Sequence, residues 1–246
     1  MATPTWLLFQ SGVPIEKLRF LGVAITPTSP GRWHVGVLHR ADGDPVNLLH
    51  LAFDHKLLNS PPGAKYAWVQ LQLPDLRLRS VAANCRLIAR RYASPKRGLP
   101  YGLRYEKTTF RADGKMRLGK AEHGMTCATF ILAVLRSAGV ELLSLADWPP
   151  RDGDKERHLE LLDMLRNDPE VARDHVAAIA TEVNGVRYRP EEVVGAASSA
   201  QLPVSFLLAE AAAEQIMTAF ALGAGQLPQE ADIAHAPSSG PDASSY

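Results

Sequence analysis

From Gly31 onward the hydrophobic and polar positions follow a strand-like pattern. Arg32 to His39 is a short run rich in β-branched and aromatic residues, and Ala41-Asp42-Gly43-Asp44-Pro45 is turn chemistry. Val46 to Phe53 resumes the pattern, so the two runs predict a hairpin. After the Pro61-Pro62-Gly63 break, Tyr66 to Leu73 alternates strictly. Tyr66, Trp68, Gln70 and Gln72 fall on one face and Ala67, Val69, Leu71 and Leu73 on the other, which predicts a third strand.

The period then changes. Val81, Cys85, Ile88 and Tyr92 recur at helical spacing, and Ser80 is a candidate N-cap, predicting a helix from Ser80 to Tyr92. Tyr105 to Leu118 reads as a strand pair across Ala112-Asp113-Gly114. Cys127 to Ala138, with an apolar face of Phe130, Ile131, Val134 and Leu135, predicts a second helix ended by Gly139. Beyond Trp148-Pro149-Pro150 come acidic, Ala-rich amphipathic segments at about residues 154–165, 169–183 and 203–222, with a further helix start at Arg189-Pro190-Glu191-Glu192. This pattern predicts an α+β domain over residues 1–148, a helical extension packed on it over 149–225, and a Pro/Ser/Ala/Gly-rich disordered tail over 226–246.

Composition adds mostly exclusions. The formal net charge is +1, so no global field recommends a nucleic acid, and no apolar run is long enough to span a membrane. Charge is nevertheless uneven: residues 77–120 carry thirteen Lys/Arg against two acids, and residues 121–246 carry eight against nineteen. The basic stretch keeps a peripheral lipid contact open as one reading and mutual charge neutralisation as the other. With two cysteines and no Cys-x-x-Cys pair, a disulfide framework, a metal site and a cofactor are not expected. The thiols are expected to be free. Residues 1–25 lack signal-peptide features, so a cytoplasmic site of synthesis is expected; signal-independent export would leave the same sequence.

The chemistry-bearing residues are His34, His50 and Cys127. Thr126 is a good N-cap, which puts Cys127 at the first helical position among unsatisfied backbone N–H groups. A helix N-terminus lowers a thiol pKa, and the same N–H groups can stabilise an oxyanion. His34 and His50 lie mid-strand in the two arms of the hairpin and can face one cleft, one as a base and one holding that base in its useful tautomer. Cys85 falls inside an apolar stripe and reads as core. His39 should point away from His34; His55 and His123 read as surface or loop residues.

Trp33-His34-Val35-Gly36-Val37, followed by Leu49-His50-Leu51-Ala52 and then by Thr126-Cys127-Ala128-Thr129-Phe130-Ile131, resembles the circularly permuted NlpC/P60 superfamily, which includes the lecithin:retinol acyltransferase-like enzymes. Pro100-Tyr101, Thr126-Cys127 and Phe130 are also similar to the Pro-Tyr and Asp-Cys-Ser-x-Phe-Val elements of NlpC/P60 peptidases. The resemblance covers Gly31 to Gly139. It implies a permuted papain-like fold in which Cys127 is the nucleophile, His34 the general base and His50 the orienting residue, with Tyr101 and Thr126 as candidate substrate or oxyanion groups. The flanking residues differ from both branches: the acyltransferases usually show Asn-Cys-Glu-His-Phe, and the peptidases Asp before and Ser after the cysteine.

The resulting expectation is a cysteine-dependent hydrolase, an amidase or thiol protease, that cleaves an amide bond in a peptide, a peptidoglycan stem peptide or an isopeptide linkage. Two alternatives stand beside it: a lipid acyltransferase or phospholipase of the lecithin:retinol acyltransferase type, and a non-catalytic binding module on the same fold.

Overall fold

The hairpin becomes the middle of a five-stranded antiparallel sheet in the computed structural model, which describes residues 15–93, 98–118 and 123–224. Its strands are β1 (Leu21–Ser29), β2 (Arg32–His39), β3 (Asn47–Phe53), β4 (Lys56–Ser60) and β5 (Ala67–Gln70), in the spatial order β4-β3-β2-β1-β5. Both sheet faces are apolar. Val23, Ile25, Val35, Val37, Leu49 and Leu51 belong to the main core, whereas Ala24, Leu38, Leu48 and Trp68 form a smaller cluster with Leu18. The alternation read at Tyr66 to Leu73 holds, although the paired part is only Ala67–Gln70.

Two strands have no counterpart in the sequence pattern. In β1 the first six residues are all buried, so its Leu-Gly-Val-Ala-Ile-Thr run shows no polar alternation. β4 is a short edge strand with one buried residue, too polar to announce itself.

Helix α1 (Asp75–Tyr92) begins a turn earlier than Ser80, because Leu78 extends the buried stripe upstream through Val81, Ala82, Cys85 and Ile88. Asp75 lies in the first turn and pairs with Arg19 at 2.8 Å. The predicted strand pair is reduced to β6 (Thr109–Phe110) and β7 (Met116–Arg117). Helix α2 (Cys127–Arg136) is buried from Cys127 to Leu135, and Gly139 takes a left-handed conformation (φ 72°) just past its end.

The later helices are α3 (Asp154–Asn167), α4 (Arg173–Ile179), α5 (Pro190–Ala197) and α6 (Phe206–Ala224). They share the main core: one continuous apolar cluster runs from Phe20 through α2 to Ile216. Helix α5 touches β1, β2, β5 and α2, and α6 packs on α5. The expected tail at 226–246 lies outside the described residues. Among the described residues, no helix is long and apolar enough to cross a membrane.

Because α2 is surrounded by protein, Ile131→Ala is expected to cost about 2–5 kcal/mol of unfolding free energy. Leu207, 72% exposed on α6, should lose no more than about 0.5 kcal/mol when changed to Ala. Urea midpoints of the two variants check the contrast; equal losses would contradict the packing described here.

Candidate active site

β2 and β3 are paired only at Val37–Leu49, Leu38–Leu48 and His39–Asn47. Beyond Gly36 and His50 the two strands part, and the site is built at this fork. Gly36 lets the side chains close over it: a Cβ there would lie 2.7 Å from Leu48 Cδ1 and 2.8 Å from the His50 Cβ. On that face the His34 Nε2 and the His50 Nδ1 are 2.7 Å apart, with the rings edge-on. Strand alternation carries Val35 and Val37 to the other face, where α2 packs.

Cys127 enters the fork from the α2 side. Thr126 caps the helix as the sequence implies: its Oγ1 accepts from Thr129 N–H at 3.2 Å, and the Thr126 N–H donates to Thr129 Oγ1 at 2.8 Å. The backbone N–H groups of Val35 and Ala128 are directed at the Cys127 sulfur. The thiol therefore meets β2 one residue from His34. Among the described residues no hydrogen bond joins Cys127 to either histidine, and His34 Nδ1 makes none at all.

Tyr101 is held beside the thiol by its backbone. Its N–H donates to the buried Asp54 carboxylate at 2.8 Å, and its carbonyl accepts from His175 at 2.8 Å. The next residues, Leu103 and Arg104, donate their N–H groups to Glu182, which also binds His123 at 2.7 Å. Gly102 and Gly124 allow residues 100–102 to lie directly against 124–125; a Cβ on Gly124 would come within 2.4 Å of the Pro100 carbonyl oxygen. The Tyr101 hydroxyl then faces the backbone N–H of Cys127. Tyr101 and Thr126 both line a cleft at the thiol, and His34 and His50 are not among its lining residues.

The cleft is small, about 40 Å³, with room for no more than a few waters. Much of its wall comes from the C-terminal segment: Arg157, His158 and Leu161 of α3, and Arg187, Tyr188 and Pro190 at the start of α5. Trp33 closes one side and stacks edge-on against Phe220 of α6 at 4.8 Å. Sequence reasoning assigned none of these residues to the site, because Arg and His on an amphipathic acidic segment read as a solvated face. Asp54 and Glu182 were missed for a different reason: an isolated acid in a loop or helix carries no signal that it caps distant backbone.

The other histidines occupy structural positions. His39 points away from His34 and bonds Asn59 at 2.8 Å. His55, in the β3–β4 turn, bonds the Gly98 carbonyl at 3.1 Å. Cys85 is fully buried, and burial pushes its thiol up to about 12.

Electrostatics reverse one expectation. Burial raises the Cys127 thiol above its ordinary value, and this outweighs the lowering by the Val35 and Ala128 N–H groups and by Arg187. Burial, with the neighbouring His50 second, holds His34 down to about 4. Both groups are thus neutral at pH 7. Asp54 shows the opposite balance: burial pushes its carboxyl up, yet His175 and the Tyr101 N–H together hold it below its ordinary value.

No family model, curated protein or solved structure matches this chain. The case for its chemistry therefore rests on its own residues. Among the described residues, no group of three His, Cys, Asp or Glu side chains could hold a metal ion.

The buried histidines make stability depend on pH with a definite sign. His34, His39, His50 and His158 all ionise below the ordinary value of 6.5, each chiefly through burial. The unfolded chain then binds more protons than the folded one as pH falls from 6.5 toward 4, so their contribution is present above 6.5 and lost through that window. His34 alone accounts for about 3 kcal/mol at most. His175, raised by Asp54, opposes the trend: its contribution is present below 6.5 and lost as pH rises. Urea unfolding at pH 7 and pH 4.5 should show a net loss at the lower pH that shrinks in His34→Gln; a flat profile would contradict it.

Proposed function

We propose that the chain is a cysteine-dependent amidase or peptidase on a permuted papain-like scaffold of the NlpC/P60 type. The observation that carries this reading is the fork itself. A capped helix brings Cys127 to the N–H of Val35, the strand neighbour of His34, while His50 bonds one nitrogen of that imidazole. In this reading His34 Nε2–H donates to His50 Nδ1, which leaves the His34 Nδ1 lone pair free to receive the thiol proton.

The steps follow from these roles. Cys127 sulfur forms a bond to the substrate carbonyl carbon as its proton passes to His34, and the carbonyl oxygen becomes an oxyanion beside the Cys127 backbone N–H and the Tyr101 hydroxyl. Collapse breaks the amide C–N bond, and the leaving amine takes the proton from His34. Water, losing its proton to His34, then attacks the thioester carbonyl. The acid product leaves, and the proton returns to the Cys127 sulfur.

The lipid reading leans on the basic 77–120 stretch, and part of that charge is engaged within the protein. Arg79 pairs with Asp42, Arg91 with Asp113 at 3.2 Å, and Arg77 binds the Ala138 carbonyl at 2.6 Å. Amide hydrolysis is the better-supported choice.

A panel of soluble peptide amides should be turned over by the wild type and not by Cys127→Ala. His34→Gln should slow turnover by about 10²–10⁴, and His50→Ala should slow it less. Full activity in Cys127→Ala would end the proposal. Since burial raises the thiol, its alkylation by iodoacetamide should keep accelerating above the free-thiol value of about 8.5. Since His34 stays neutral to about pH 4, acid inactivation of turnover should appear only as pH falls toward that value. An acid limb centred near 6.5 would contradict an unprotonated His34.

A further inference from the structure

The wall of the cleft facing the thiol is cationic and has no acid in it. Arg157 and Arg187 line it together with Cys127, and none of the other lining residues is Asp or Glu. Arg187 is the more telling of the two. Its side chain is only 20% exposed, yet its guanidinium makes no hydrogen bond among the described residues. Its nearest acid, Asp154, lies 3.7 Å away and already receives Arg189 at 3.1 Å and Arg151 at 3.2 Å. Glu191 acts on it more strongly than Asp154 does, yet no hydrogen bond joins the two among the described residues, and the buried Glu191 Oε2 has no hydrogen-bond partner either. Arg157 is paired on one side with Glu160 at 2.6 Å. A half-satisfied buried guanidinium is costly unless a ligand completes it, and its planar fork fits a carboxylate.

A second observation points the same way. His158, fully buried in the same wall, binds the Val183 carbonyl through Nδ1 at 3.1 Å. That bond puts the proton on Nδ1 and leaves Nε2 as a lone pair, and Nε2 has no hydrogen-bond partner. The wall therefore presents a guanidinium that makes no hydrogen bond and, beside it, an imidazole nitrogen without a donor. The C-terminal residue of a peptide, or the amino-acid half of an N-acyl amino acid, carries the complement: a carboxylate with an amide N–H two bonds from its carboxyl carbon.

We propose that Arg187, assisted by Arg157, binds a free carboxylate of the substrate and that His158 Nε2 accepts the adjacent amide N–H, so that the enzyme acts on peptides or N-acyl amino acids with a free acid end. This rests on the amidase reading for the role of Cys127, but the anion subsite can be tested apart from it. The C-terminal helices then serve as the specificity wall of the site.

Iodoacetate and iodoacetamide deliver the same alkyl group to a thiol and differ in a carboxylate. With the full chain, and with Cys127 distinguished from Cys85 by peptide mass mapping, the ratio of iodoacetate to iodoacetamide rates at Cys127 should exceed that for free cysteine by at least about tenfold. Arg187→Gln should return the ratio to the free-cysteine value, and Arg187→Lys, which keeps the charge if the Gln variant folds poorly, should retain part of it. A ratio equal to that of free cysteine, or one unchanged by Arg187→Gln, would overturn the proposal. Inertness of Cys127 to both reagents would instead defeat the thiol-enzyme reading, and a binding measurement then decides the subsite. Calorimetric titration with Ala-Ala as the free acid, as its C-terminal amide, and with inorganic phosphate should show Arg187-dependent binding of the free acid above the other two. Equal binding of acid and amide, or tighter binding of phosphate, would overturn it.

Discussion

Helix α2 is buried from its first residue almost to its last, and such a helix can begin inside a protein only if its leading N–H groups find acceptors. The Thr126–Thr129 capping box meets part of that need, and the Tyr101 hydroxyl and the Cys127 sulfur lie against the remaining amides. The catalytic candidates are thus also the groups that make the helix start tolerable. This constraint fixes the position of the thiol more firmly than any contact with His34 does. It also explains why the preceding chain is held so closely, with Gly102 and Gly124 in backbone contact and with Asp54 and Glu182 capping the amides of residues 101, 103 and 104.

The sheet supplies the second half of the site by ceasing to pair. Had β2 and β3 stayed in register past Val37 and Leu49, backbone hydrogen bonds would have filled the gap that now admits Cys127. Parting leaves the Val35 N–H without a strand partner on that side, and the sulfur takes its place. The two imidazoles then bridge the opening from the opposite face. The thiol thus lies at Val35 and the histidine pair on the other face of the same strand, so the fork is where the two come nearest along the chain.

What the sequence revealed follows the range of the interactions involved. The hairpin, the cap at Thr126, the left-handed Gly139 and the opposed directions of His34 and His39 are set within a few residues, so period and turn chemistry expose them. β1 was hidden because burial on both faces erases alternation, and the early start of α1 was hidden because Leu78 earns its place only through packing. The cleft wall was hidden for a deeper reason. Arg157, His158 and Arg187 owe their role to the fold of a segment remote in sequence, and an arginine on an acidic helix looks the same whether it meets solvent or a nucleophile. The thiol pKa shows the same limit: its helix-terminal position was readable, but the burial that outweighs it was not.

That burial shapes the chemistry the fork can perform. Cys127 and His34 are each neutral, because a thiolate and an imidazolium would forfeit hydration that their buried surroundings do not replace. Arg187 is among the groups that pull the thiol back down, and a substrate carboxylate on Arg187 would cancel that pull. Binding such a substrate therefore cannot work by first creating a stable thiolate. In the proposed reaction, proton transfer to His34 must accompany carbon–sulfur bond formation, so that charge appears only as the oxyanion develops beside the Cys127 N–H and the Tyr101 hydroxyl. On the proposed reading such a site keeps its thiol protected until a carbonyl is in place, and its selectivity rests on the groups that place it.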